Sequence, residues 1–213
     1  MILLVHGWGF DARLWDRVCP ELGDVPVRRV ELGFFGGAAN SAEDFLRNDI
    51  SLAVGHSLGV LWLLHHGFGH RSPLLSVNGF PRFTEADGFP GVPARNLAAL
   101  RRRCERDPAS TLQRFWQDCG GAPDIAPESA AKARLLEGLD WLRDRDERPA
   151  LAATQNCAAL ASRDDGVVQA ALSTAAFAGH DLRWAESGGH VLPLTAPALV
   201  AETIRAQYEA ASA

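Results

Sequence analysis

Nothing in the sequence suits a membrane span: no apolar run approaches the ~18 residues that a span needs. A basic excess is also missing. The net charge is −5 and Lys132 is the only lysine, which argues against a nucleic-acid partner. The four cysteines (Cys19, Cys104, Cys119, Cys157) form no C-x-x-C pair, and no set of metal ligands emerges around them. They read as reduced thiols, so neither a disulfide framework nor a metal is expected. Internal repeats and low-complexity tracts are absent. The opening Met1-Ile2-Leu3-Leu4-Val5 is too short for a signal peptide's apolar region and lacks a basic flank. The expectation is a cytoplasmic protein, a monomer or small oligomer, with no membrane and no nucleic-acid partner.

What is present is an ordinary globular composition, 47% hydrophobic and 22% charged over 213 residues. That length suits one domain, with room for an inserted subdomain. Short apolar runs alternate with helical patterns. Strands are predicted over 2–5, 26–32, 51–54, 74–77, 156–161 and 181–185, with continuous apolar runs at several of them, as in buried parallel strands. Helices are predicted after Asp11 (Leu14, Trp15, Val18), over 41–47 with Ser41 as N-cap, and over 58–66, 167–174 and 196–208. The rhythm breaks over 80–148. Proline and glycine mark its start, then helical patterns occupy 97–106, 109–119 and 127–145. A stretch of about 70 residues is too long for an ordinary connection. The predicted organisation is an α/β core over 1–79 and 149–213, a mostly parallel doubly wound sheet, with a helical cap over 80–148.

The chemistry centres on Gly55-His56-Ser57-Leu58-Gly59, a G-x-S-x-G between a predicted strand and a predicted helix. A serine on such a turn is thrust out of the backbone as a nucleophile. The plainer alternative is a helix N-cap. Two further strand-end loops carry the complementary groups: Asp164-Asp165-Gly166, and Ser187-Gly188-Gly189-His190. Reactive groups collect at the carboxyl ends of parallel strands. His190 would take the serine proton, and a carboxylate would fix its tautomer. Asp165 is chosen because Asp-Gly sits at the turn tip, while Asp164 is free to cap the next helix. Oxyanion donors are expected at the Leu58 backbone and in the loop His6-Gly7-Trp8-Gly9, at Trp8, whose indole would line the pocket. His6 would shape that loop, and His56 has no assigned step. In the cap, Phe80, Phe83, Phe89, Phe115 and Trp116 offer an apolar wall. Arg101, Arg102, Arg103, Arg106 and Arg114 gather positive charge, either for an anionic partner or as a solvated face interleaved with Glu105, Asp107 and Asp118. Arg114, beside Phe115, is taken as functional.

These segments together resemble the α/β-hydrolase superfamily. More narrowly they resemble the biotin-pathway carboxylesterases that cleave pimeloyl-[acyl-carrier protein] methyl ester. The resemblance rests on Leu3-Leu4-Val5-His6-Gly7-Trp8-Gly9 with Trp15, the elbow, Phe83 to Val92, Arg114-Phe115, Gly138-Leu139-Asp140-Trp141-Leu142, Asp165-Gly166-Val167-Val168 and His190. It implies a Ser57–Asp165–His190 triad, Trp8 and Leu58 at the oxyanion, Phe115 on the acyl chain, and Arg114 receiving an acyl-carrier protein or its phosphopantetheine arm. No cofactor is implied. Three departures stand out: the chain starts at the HGWG strand, so preceding strands are expected to be missing or shortened; His56 replaces a frequent tryptophan; and the cap is shorter after Phe115. A general small-ester hydrolase or thioesterase of the same fold is the alternative enzyme. A non-catalytic binding protein of that fold is the alternative from another class.

Overall fold

In the computed structural model, which describes residues 1–46 and 49–212, the first strand lies inside the sheet and sets its order. β1 (Ile2–Val5) is apolar at every position because it is buried on both faces. It lies between β2 (Val27–Val30) and β3 (Leu52–His56), and β4 (Leu74–Val77), β5 (Cys157–Ser162) and β6 (Asp181–Ala185) continue outward in order. All neighbours pair in parallel, with Ile2 opposite both Val27 and Leu52. The order β2-β1-β3-β4-β5-β6 reverses direction between β1 and β3. Such a reversal opens a crevice outside the carboxyl ends of the two strands. The loops that leave β1 and β3 are the HGWG and G-x-S-x-G segments, so the fold itself brings them together. β2 and β6, at the sheet edges, alternate exposed and half-buried positions up to a buried last residue, and they carry Arg28 and Arg183 outward.

The helices are α1 (Glu43–Leu46), α2 (Leu58–His65), α3 (Ala94–Arg106), α4 (Pro108–Asp118), α5 (Lys132–Asp144), α6 (Arg148–Ala152), α7 (Ala170–Ala176), α8 (Leu192–Thr195) and α9 (Pro197–Ser212). The expected end of α1 at Arg47 lies outside the described residues. Between β4 and β5 come α3 to α6, with α3 packed on α4 and α5. Asp107 ends α3 and caps α4, where Oδ1 accepts from Ser110 N at 3.0 Å and Pro108 fills the first position. Leu97, Leu112, Trp116, Leu135 and Leu139 from these helices join the sheet residues in one hydrophobic cluster.

Several local expectations differ from the structure, each for a visible reason. The helix expected after Asp11 is instead two 3₁₀ turns, Ala12–Trp15 and Cys19–Leu22. Pro20 cannot donate the bond that a continuous helix would need. The helix expected over 127–145 is split: a 3₁₀ turn at Pro127–Ser129 gives way to extended Ala130 and Ala131, and Ala131 N donates to Phe34 O at 2.8 Å instead of continuing the coil. The helix expected from Val167 starts at Ala170, because Asp165 Oδ1 accepts from both Val167 N and Val168 N, at 2.7 and 2.8 Å. Within the stretch expected to lack strand pairing, two isolated bridges join Thr84 to Val92 and Ala86 to Phe89.

Candidate active site

Ser57 sits between β3 and α2 with φ +53° and ψ −124°, a conformation that costs a non-glycine residue about 1–3 kcal/mol. The turn is tight enough to forbid side chains on either flank. A Cβ on Gly55 would lie 2.6 Å from Val60 N, and one on Gly59 would lie 2.4 Å from Val5 O. In the first turn of α2 Val60 N donates to Ser57 O at 3.0 Å; the N–H groups before it precede any helical acceptor, and the helix presents its positive end to the crevice.

The loops after β5 and β6 converge on this serine. His190 Nε2 lies 3.0 Å from Ser57 Oγ, and His190 Nδ1 lies 2.8 Å from Asp165 Oδ2. Both the imidazole and the carboxylate are buried. The carboxylate can only accept, so Nδ1 carries the proton and Nε2 accepts from the serine hydroxyl. The two aspartates divide the work. Asp165 reaches the ring and holds Val167 and Val168 with its other oxygen. Asp164 does not cap the following helix: it accepts from Ser162 Oγ at 2.6 Å and from Gly189 N and Gly188 N at 2.8 and 3.3 Å. The Ser162 hydroxyl first, and then the Gly189 N–H, hold the Asp164 carboxyl below its usual range.

The HGWG loop faces the serine across the crevice. His6 is buried; its Nε2 accepts from Leu32 N at 3.0 Å, which leaves the proton on Nδ1 for Gly7 O at 2.9 Å. Gly7 O belongs to the same peptide plane as the Trp8 N–H, so this contact fixes which way that N–H points. Two indoles anchor the loop to the helices above. Trp8 Nε1 donates to Leu135 O on α5, and Trp116 Nε1 on α4 donates to Gly9 O, each at 2.8 Å. The second of these was not foreseeable from any motif, since its partners are 107 residues apart.

A cavity of about 1010 Å³ opens over Ser57, at the upper end of the range for small-molecule sites. Trp8, Phe83, Phe89, Phe115 and Leu142 give it apolar walls, and Arg103 and Arg114 stand exposed on its lining. Phe115 meets the Trp8 ring edge-on at 4.9 Å. Among the described residues, neither Arg103 nor Arg114 makes an ion pair, whereas Arg101 is held by Asp140 and Glu105. Leu58 lies on the other side of the elbow, against a second, smaller cavity of about 320 Å³ with Trp62, His66 and Trp141. Asn78, at the end of β4, belongs to no motif, yet it bonds to the His190 loop. Its one sequence signal is its place at a strand's carboxyl end. Among the described residues, no group of three or more His, Cys, Asp and Glu side chains could hold a metal ion, and no helix is long and apolar enough to cross a membrane.

No family model matches the chain. Among curated proteins it is 30% identical over 183 residues to the pimeloyl-[acyl-carrier protein] methyl ester esterase of Yersinia enterocolitica, covering 71% of this chain and 69% of that protein. It is 28% identical over 177 residues to the enzyme of the same name from Klebsiella pneumoniae, covering 70% and 69%. Among solved structures it resembles an esterase from Exiguobacterium antarcticum (TM-score 0.83, 18% identity, 98% of this chain and 91% of that one). It also resembles a hydrolase from Pseudomonas aeruginosa (TM-score 0.74, 18% identity, 97% and 89%). At such identities these structures fix the fold alone, which is that of the α/β-hydrolases.

Proposed function

The chain belongs to the pimeloyl-[acyl-carrier protein] methyl ester esterase family, and from that membership we propose a serine carboxylesterase that hydrolyses the methyl ester of a pimeloyl chain carried on acyl-carrier protein, in the biotin pathway. The observation that carries the catalytic part is the unbroken relay Asp165–His190–Ser57, at 2.8 and 3.0 Å, with Ser57 on the lining of the cavity. In this reading His190 Nε2 takes the Ser57 proton as Oγ bonds to the ester carbon. The carbonyl oxygen becomes an oxyanion, received by the backbone N–H groups of Leu58 and Trp8. The imidazolium, stabilised by Asp165, returns the proton to the departing methoxide, and methanol leaves. Water then attacks the acyl-enzyme with His190 again as base, which frees the acid and restores Ser57. The helices over 80–148 act as the cap. Phe115 and its aromatic neighbours take the acyl chain, and Arg114 takes the phosphodiester of the carrier arm.

The test has three parts. Ser57→Ala is expected to lower kcat on methyl pimeloyl-carrier ester by at least about 10³-fold. Full activity in that variant refutes the nucleophile. Methanol release from the methyl ester is expected to outpace thiol release from a thioester of the same acyl group, and the reverse ranking makes the protein a thioesterase. Expression is expected to rescue a biotin-requiring strain that lacks its own esterase; no rescue at good expression removes the biotin assignment.

A further inference from the structure

Gly188 (φ +130°) and Gly189 (φ +64°) let His190 reach inward, and they also leave its backbone without stiffness of its own. What fixes it comes from other elements: its N–H donates to Cys119 O, after α4, at 3.0 Å, and the rest comes from residues after or within the strands. The His190 carbonyl accepts from Asn78 Nδ2 at 2.8 Å and meets His56 Nε2 at 3.0 Å. Asn78 Nδ2 also donates to Gly189 O at 2.9 Å, while its Oδ1 accepts from Ser162 N at 2.8 Å, three residues before Asp165. The Asn78 amide therefore ties the base-bearing loop to the acid-bearing strand, and His56 ties the same loop to the residue beside the nucleophile. Both side chains are buried. Asn78 adopts φ +47°, and Ser57 is the other non-glycine residue with positive φ among the described residues.

The protonation of His56 suits the task. A carbonyl can only accept, so His56 Nε2 carries the proton and Nδ1 is bare; Nδ1 has no partner among the described residues. Burial, and then the neighbouring His190, hold the His56 pKa well below its usual value. A neutral imidazole keeps donating when His190 becomes an imidazolium, without adding a second positive charge beside it.

We propose that Asn78 and His56 are positioning residues for the base: together they occupy both lone pairs of the His190 carbonyl and hold its ring against Ser57. This rests on the reading of Ser57, His190 and Asp165 as the catalytic group. The variants are Asn78→Gly, which keeps the positive φ, Asn78→Asp, which keeps the volume and removes the donor, His56→Phe, which keeps a ring without the donor, and His56→Gln, which restores one. Titration with a fluorophosphonate counts competent Ser57 sites, so that kcat is expressed per active site and loss of folded protein is factored out. Asn78→Gly, Asn78→Asp and His56→Phe are expected to lose about 10- to 100-fold in kcat per titrated site, with KM within about twofold, and His56→Gln to recover most of the loss. The proposal is overturned if these three variants keep kcat per titrated site within about twofold of the parent, whatever their stability. A parent protein that the probe does not label at Ser57 defeats the triad reading and this one with it; normal labelling with unaffected variants defeats this one alone.

Discussion

Asp164 and Asp165 are neighbours with different partners, and single substitutions separate them. Asp165→Asn puts an amide where the Nδ1–H needs an acceptor, so the ring takes the wrong tautomer; kcat is expected to fall on the order of 10⁴-fold with little change in KM. Asp164→Ala instead frees the Gly188 and Gly189 N–H groups. It is expected to lower Tm while costing less than about tenfold in kcat, because the ring keeps its carboxylate. Steady-state kinetics and calorimetry on the pair give the contrast directly. His56 adds a pH dependence of stability. The folded protein holds it neutral, and the unfolded chain protonates it below about pH 6.5. The unfolded state therefore binds the extra proton, and stability falls as pH drops below that value, by up to about 1.4 kcal/mol per pH unit from this group. Urea unfolding from about pH 8 to about pH 5 is expected to show a shallower acid limb in His56→Gln than in the parent.

At the scale of elements, α4 and α5 are fastened to the HGWG loop, and α5 is fitted to it as well. A Cβ on Gly138 would stand 2.7 Å from Trp8 Cδ1 and 3.0 Å from the Phe34 ring. Gly138→Ala would gain about 1 kcal/mol in helix propensity. Two rigid rings must move to admit it, at a cost of about 1–3 kcal/mol, so the net effect is destabilising and the Trp8 end of the loop shifts. Reduced Tm together with reduced kcat is the expected result. Trp116→Phe keeps most of the packing and leaves Gly9 O without its indole donor. A loss of about 0.5–1.5 kcal/mol is expected in denaturant unfolding. These contacts also mark where the sequence stops being informative. The strands and the elbow were legible because apolar runs, glycines and chain order are local signals: β6 was expected over the residues it occupies, and β4 likewise. Ser57, Asp165 and His190 stood out because each comes just after a strand. α6 and α8, five and four residues long, are too short to show a period. Asn78, the partner of His56 and the bond of Trp116, which was expected in the apolar wall and instead holds Gly9 O, stayed hidden, since each acts through a bond to a residue 84 or more positions away, which no local pattern encodes.

For the whole molecule, charge sets the terms on which a partner approaches. The net charge is −5, yet Arg103 and Arg114 stand unpaired at the cavity among the described residues. A carrier-linked substrate with a phosphodiester would feel those two cations within the ~8–10 Å over which salt leaves charges unscreened. Raising the ionic strength is expected to lower kcat/KM for the carrier-linked ester and to leave a neutral free methyl ester nearly unaffected. Arg114→Glu is expected to raise KM for the former far more than for the latter. One bond then bears on how such a molecule changes over generations. His190 takes its N–H acceptor, Cys119 O, from the end of α4, at 3.0 Å. His190, the proposed base, is thus held half by the sheet and half by the end of α4. Replacing the stretch 83–97, which lines the cavity and makes no bond to Ser57, Asp165 or His190 among the described residues, is expected to redraw the pocket and leave the proposed chemistry running. A graft that cuts through 116–121 removes the acceptor of the His190 N–H and is expected to displace that imidazole from Ser57. New substrates are therefore reachable by loop exchange at one seam and closed off at the other.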